Sequence, residues 1–256
     1  MKLVTWNINS IRARSARLVA WLEAQRPDVV CLQETKVEDP AFPLEAVTKL
    51  GYQVAMFGQK SYNGVAILST APLADVTRGF GDDIHDDEAR VIAATTHGTR
   101  VVCLYVPNGQ DLQSDRYPYK LAWFGRLRAY LERTSSPDRP IVVCGDMNVT
   151  ADDQDVWSPD AWRDQIHCTR AERAALADVR GWGLDDVFRV RSPEGGVWSW
   201  WDYRGVSFFK DQGLRIDHIL TSAPMTARCT ACVIDRTARK GQDASDHAPV
   251  MATFGL

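Results

Sequence analysis

Three stretches share an opening. Val29-Val30-Cys31 runs on to Leu32-Gln33-Glu34, Val101-Val102-Cys103 to Leu104-Tyr105-Val106-Pro107, and Val142-Val143-Cys144 to Gly145-Asp146-Met147-Asn148. Each is a short β-branched apolar run without polar alternation, as expected of a strand buried on both faces. Each stops at a polar residue, so polar side chains collect at strand ends. Between the runs lie helical patterns. Ser10 is placed to cap a helix over 11–26, with Ile11, Leu18, Val19 and Leu22 near one face and Pro27 as the stop. A second helix over 119–133 aligns Leu121, Phe124, Leu127 and Leu131, and Thr169 with Glu172 has capping-box spacing for a third that ends near Gly181. Strands alternating with helices predict a layered α/β fold, whose ligands sit beyond the strand ends.

The composition fits that class. Of 256 residues, 45% are hydrophobic, enough for a sizeable core, and no Ser/Gly linker or repeat divides the chain, so one domain over 1–256 is expected. No apolar run reaches the roughly 18 residues of a membrane span, and Trp6, Asn7 and Asn9 fall where a secretory signal is apolar. A protein without membrane contact, cytoplasmic and monomeric, is the expectation, with its six cysteines reduced. The net charge of −3 gives no basic footprint. Locally, charge is uneven: residues 1–20 carry Lys2, Arg12, Arg14 and Arg17 with no acid, whereas 82–88 (DDIHDDE) is almost wholly acidic.

Six segments end or interrupt apolar runs with polar groups: TWNIN (Asn7, Asn9), LQETK (Glu34), LYVPNG (Tyr105, Asn108), CGDMN (Asp146, Asn148), RIDHIL (Asp217) and SDHAP (Asp246, His247). Singly, an Asp or Asn after a strand is most often a turn former. Together they form a hard, oxygen-rich donor set that suits Mg²⁺, or Mn²⁺, and phosphate chemistry. Asp217 lies inside an apolar run, where a lone carboxylate costs several kcal/mol unless paired. Neighbours in extended chain point to opposite sides, so Asp246 is badly placed to orient His247, and Asp217 is the candidate for that role. Asp146 and Asn148, two apart, are candidates for base and positioner of one water. Cys229-Thr-Ala-Cys232 has metal or redox spacing but no second pair, so a structural role is expected. His167-Cys168 followed by Arg173 imitates a phosphatase signature with the wrong spacing, and the capping-box helix explains it better.

Assembled in this order, the segments resemble the exonuclease III family of DNA-repair nucleases, within the endonuclease/exonuclease/phosphatase superfamily, from TWNIN to SDHAP. The resemblance implies a four-layer α/β sandwich, two mixed sheets face to face with helices on both outer sides. It also implies Mg²⁺-dependent hydrolysis of double-stranded DNA at abasic sites, with 3′-end trimming and 3′-to-5′ exonuclease activity. By motif, Glu34 would be the principal metal ligand with Asn7 beside it, and Asp246 would belong to the metal site. Asp146 would prepare the water with Asn148, both near the metal, Tyr105 would assist the leaving group, and His247, oriented by Asp217, would face the phosphate.

The family's abasic-sugar pocket corresponds to WSWWDYR (198–204) and GLRID (213–217), making Trp200, Leu214 and Ile216 its apolar wall and Arg204 a groove-entering residue. Arg12, Arg14, Lys60, Tyr62, Gly64, Arg90 and Asn108 lie in segments similar to the family's DNA-backbone contacts. Phosphate contacts of this kind give affinity without sequence preference. The chain departs from the family with Ser10 after WNIN, with Asp111 where some relatives place a basic residue, and with the acidic 82–88 run, which must face away from DNA, be offset by metal, or act in discrimination. Two alternatives stand beside this reading: the same hydrolytic core acting on a small phosphoester, and a DNA-binding homologue without catalysis.

Overall fold

The computed structural model describes residues 1–84 and 86–255; His85, in the acidic run, and Leu256 lie outside the described residues. Among the described residues, twelve strands form two six-stranded sheets. The first contains β1 (Lys2–Asn7), β2 (Val29–Gln33), β3 (Gln53–Phe57), β4 (Val65–Ser69), β11 (Cys229–Ile234) and β12 (Val250–Phe254), in the order β11-β12-β1-β2-β4-β3. The second contains β5 (Ala74–Arg78), β6 (Val91–Thr96), β7 (Thr99–Tyr105), β8 (Ile141–Asp146), β9 (Leu184–Asp186) and β10 (Asp217–Ser222), in the order β5-β6-β7-β8-β10-β9. Both are mixed, since β1–β2 and β7–β8 are parallel and the remaining pairs antiparallel.

The Val-Val-Cys echo has a structural meaning. On β2, β7 and β8 the outer valines (Val30, Val102, Val143) pack under the helices, while Val29, Val101 and Val142 join Cys31, Cys103 and Cys144 between the sheets. Helix α1 (Ile11–Gln25) covers the first sheet through Ile11, Leu18 and Leu22. Helices α2 (Arg116–Thr134) and α3 (Arg170–Arg180) cover the second. The result is helix, sheet, sheet, helix: the four-layer sandwich. All six cysteines are buried and free, and Cys229 and Cys232 are core residues of the inter-sheet layer.

Helix boundaries follow the caps. Ser10 accepts from the Ala13 amide, and Thr169 and Glu172 form the reciprocal capping box. Helix α2 differs from its prediction in two ways. It begins three residues early, with Pro118 in the first turn, where the missing N–H costs nothing. Its buried face includes Lys120 rather than Leu121.

Candidate active site

Period-two alternation delivers the site. The inward face of β1 runs Leu3, Thr5, Asn7; of β7, Val101, Cys103, Tyr105; of β8, Val142, Cys144, Asp146; and of β10, from its other end, Ile219 then Asp217. The apolar inter-sheet layer therefore ends in a polar tip. Register aligns three of these residues side by side, Tyr105 opposite Asp146 and Asp146 opposite Asp217. Gly145 is required there, because a Cβ would meet the Leu104 carbonyl oxygen at 1.9 Å.

At the tip, Asn7 Nδ2 donates to both Glu34 Oε1 and Asp146 Oδ2, each at 2.9 Å. Glu34 occupies a left-handed backbone conformation (φ 51°), held by the Ser10 amide on its carbonyl, and its other oxygen meets Lys36 Nζ at 2.6 Å. His247 Nδ1 lies 2.8 Å from Asp217 Oδ2, and its Nε2 lies 3.7 Å from Asp146 Oδ2. Ser199 Oγ donates to the same Asp217 oxygen at 2.6 Å, whereas Oδ1 is buried and accepts nothing from the described residues. Asp246 turns away from the imidazole, as its neighbour position requires, and accepts from Asn9 Nδ2 (2.9 Å) and Trp200 Nε1 (3.0 Å).

These environments set the protonation states. Burial drives the Asp146 carboxyl up to about 7, with Asp217 and Glu34 adding to it against the opposing pull of His247. Burial opposes charge on His247, but the Asp217 and Asp146 carboxylates override it and raise the imidazole to about 10. For Glu34 burial is outweighed by Lys36 and Asn7, and its carboxyl falls below the usual range. Burial and the nearby Glu34 and Asp146 keep the Tyr105 phenol protonated far above its usual value. The tip thus holds an imidazolium, a neutral phenol, and more carboxylate than it has cation to balance. Asp146, Asp217 and His247 each present a donor atom within 4.8 Å of the others. The carboxylates of Asp146 and Glu34, the Asn7 carboxamide and the unpartnered Asp217 oxygen are a donor set that fits a hard divalent cation, while the His247 imidazolium has no lone pair to give one.

The remaining predicted residues separate into groups. Asn108 and Asn148 bond to each other at 3.1 Å, and Asn148 Nδ2 donates to the Val106 carbonyl, so the carboxamide of Asn148 braces the 106–108 loop. Arg12, Lys60 and Tyr62 are exposed, and Arg204 stands in solvent tethered to Asp202. Arg14 bonds Tyr203 Oη and the Asn9 and Asp243 carbonyls. Gly64 is buried with its N–H donated to Ala89 and a Cβ position 2.1 Å from Thr35 Oγ1, so it secures packing behind Glu34 rather than offering a free amide. Arg90 is buried too. It pairs with Glu88 at 2.5 Å, donates to the Tyr105 carbonyl at 3.1 Å and lies 4.6 Å over the Tyr105 ring. Asp111 forms a surface turn on the amide of Gln113. Leu214 and Ile216 are brought together with Val156 and Cys168 under Trp162 and Trp200.

Arginines of α2 pair with the acidic run. Arg126 binds Asp82 at 2.8 Å and Asp86 at 2.6 Å, and Arg116 joins Arg90 on Glu88 at 2.6 Å. Sequence reasoning missed Lys120. Fully buried, its ammonium joins Glu172 (2.5 Å) to the carbonyls of Asn108 (3.0 Å) and Asn148 (2.7 Å) and ties two loops to the first turn of α3. His167 donates from Nδ1 to the Asn148 carbonyl at 2.6 Å, its ring centroid 6.2 Å from that of Trp200. Burial and Lys120 bring its imidazole down to about 3, so it is neutral.

Comparison with known proteins agrees with this geometry. The model of the Endonuclease/Exonuclease/phosphatase family matches residues 4–247. Exodeoxyribonuclease III of Haemophilus influenzae is 38% identical over 99% of this chain and all of its own. An AP endonuclease from Archaeoglobus fulgidus superposes with a TM-score of 0.97 at 37% identity, complete in both chains. The Neisseria 3′ phosphatase NExo, solved bound to a product DNA hairpin, does so with 0.96 at 39%, again over both whole chains. The chain belongs to the endonuclease/exonuclease/phosphatase family, in its exonuclease III branch of DNA-repair nucleases.

Proposed function

We propose that this protein is a Mg²⁺-dependent phosphodiesterase of double-stranded DNA that hydrolyses the backbone at abasic sites and clears 3′ ends. The observation that carries the reading is the strand-end tip itself, where Asp217, His247 and Asp146 converge beside Glu34 and Asn7. Asp217 fixes the imidazole through Nδ1, leaving Nε2 of a cationic His247 to hold a phosphoryl oxygen as charge develops on it. Asp146, with a carboxyl near 7, is matched to accepting a proton from water at neutral pH. Tyr105, a neutral phenol at the same tip, donates a hydrogen bond to the departing oxygen. Glu34 and Asn7, with Asp146 alongside and Asp246 at the edge, would hold the cation. When bound it would neutralise phosphate charge and lower the pKa of water.

One observation favours 3′-end processing as the larger activity. Of the expected pocket wall, Trp200 packs on Leu214 and Ile216, and Trp162, Val156, Cys168 and His167 close the cluster around them. An abasic sugar must displace part of this cluster, whereas a terminal 3′ phosphate needs only the tip. Labelled duplexes with one abasic analogue, a 3′-phosphate or a recessed 3′ end, assayed with Mg²⁺, with Mn²⁺ and with chelator, test both statements. Metal-dependent release at 3′ ends exceeding incision is expected. Incision exceeding end release would overturn the preference, and no cleavage of any duplex by folded, metal-loaded protein would return the site to small phosphoesters.

A further inference from the structure

Beyond the catalytic tip, the segment after Arg204 builds a second feature. A cleft of about 520 Å³ is lined by Tyr203, Val206, Phe208, Phe209, Arg236, Arg239 and Lys240, within the roughly 300–1,000 Å³ of ordinary ligand sites. Cations and rings alternate in it. Arg236 lies 4.5 Å over Phe208 and 5.7 Å over Trp201, and Arg239 lies 5.0 Å from both Tyr203 and Phe208. Phe209 stands at the rim, 85% exposed, with Phe208 edge-on beneath it at 5.7 Å. Val206, a β-branched residue in the left-handed region (φ 53°), is 56% exposed. Backbone strain that displays apolar groups to solvent is a mark of function rather than packing.

We infer that this cleft binds unpaired nucleotides of the DNA that the catalytic tip acts on, an inference that rests on the DNA reading above. Charge points to nucleic acid. Asp211 is paired with Arg236 and Asp202 with Arg204, while among the described residues Arg239 and Lys240 have no carboxylate partner, and Lys210 adjoins Phe209. A cationic groove with exposed rings is how single strands are held, since every unpaired base offers a face to stack and every phosphate a charge to meet. Paired bases have no free face, so duplex cannot use Phe209 in this way. Two hydrogen bonds tie the cleft's wall to the segment that carries Asp246 and His247: Tyr203 Oη donates to the Ala244 carbonyl at 2.8 Å, and the Trp201 amide to the Asp246 carbonyl at 3.1 Å. A recessed 3′ end carries an unpaired template strand that can reach it.

The test compares the affinity of the Asp146→Asn protein for a blunt duplex and for the same duplex with a single-stranded 5′ overhang opposite a recessed 3′ end. The overhang should tighten binding, and adding Phe209→Ala should remove about a tenfold share of that affinity while leaving blunt DNA unchanged. Phe209→Trp should restore it. Equal loss on both DNAs, or no loss on either, overturns the inference while leaving the DNA reading intact. So does sedimentation showing a dimer that Phe209→Ala dissociates, which would make the cleft an interface between two copies. A protein that binds neither DNA defeats the DNA reading and this inference with it.

Discussion

Two buried carboxylate clusters are reached from opposite ends of three consecutive residues, and they have been resolved in opposite ways. Arg215 lies between Asp155 and Asp186, donating to the first at 2.6 and 2.9 Å and to the second at 2.7 Å, and His218 and Arg189 close the group. Every oxygen has a partner: Asp155 also takes the Ala151 amide and Asp186 the Phe188 amide. Although burial opposes it, Arg215 holds both carboxyls below the usual range. Asp217 belongs to the other kind. It shares one oxygen between Ser199 and His247 and leaves the second without a donor, while Asp146 opposite is pushed up to about 7. Satisfied charge builds scaffold, and charge left in excess is what draws a cation and a phosphate.

Breaking one member of each cluster should separate the two kinds. Asp217→Asn should lower turnover by about 10²–10⁴-fold by releasing the imidazole's tautomer and orientation, with little change in urea unfolding. Arg215→Met should do the reverse, removing about 3–5 kcal/mol of stability because two buried carboxylates lose their cation. Its residual folded fraction should cleave DNA at near the normal rate. Glu88→Gln sharpens the contrast from outside. It loosens Arg90 over Tyr105 and should lower kcat a few-fold with KM held, whereas a purely structural role would move only the melting temperature.

The smallest effect is the pH dependence of stability in chelator. Folded Asp146 and His247 keep protons, near 7 and 10, that the unfolded chain releases near 3.9 and 6.5. Between pH 5 and 6.5 the proton held by Asp146 is offset by the one that His167, down to about 3, lacks, so the folded state binds more protons only above about 6.5, and stability falls as pH rises from there to about 9. A drop of roughly 5 °C in Tm is expected above pH 6.5, whereas Asp146→Asn, with His167 no longer offset, should gain stability as pH rises from 5 to 6.5. A flat or rising profile would contradict the assigned environments.

The division also explains what the sequence disclosed. Inward alternation on β1, β7 and β8 is local, so Asn7, Tyr105 and Asp146 were legible as strand-end groups, and the neighbour rule separated Asp246 from His247. Partners distant in sequence were not. Lys120 meets Glu172 across 52 residues and Asp155 meets Arg215 across 60, and no local period announces such pairs. One signal was available for Lys120: it shares a helical face with Trp123, Phe124 and Leu127, where a lysine needs a buried partner. The acidic run looked like an obstacle to DNA because its counter-charges, Arg116 and Arg126, lie about thirty to forty residues away on α2.

The central claim is that the under-neutralised tip performs the chemistry and is not needed for the fold. Asp146→Asn tests it directly when Mg²⁺-dependent release of phosphate from a 3′-phosphorylated duplex and thermal unfolding are measured on the same sample. The account predicts release reduced by about 10⁴-fold or more with Tm equal to or above that of the unaltered protein. Release at near the normal rate, or a loss of release matched by unfolding, would contradict it.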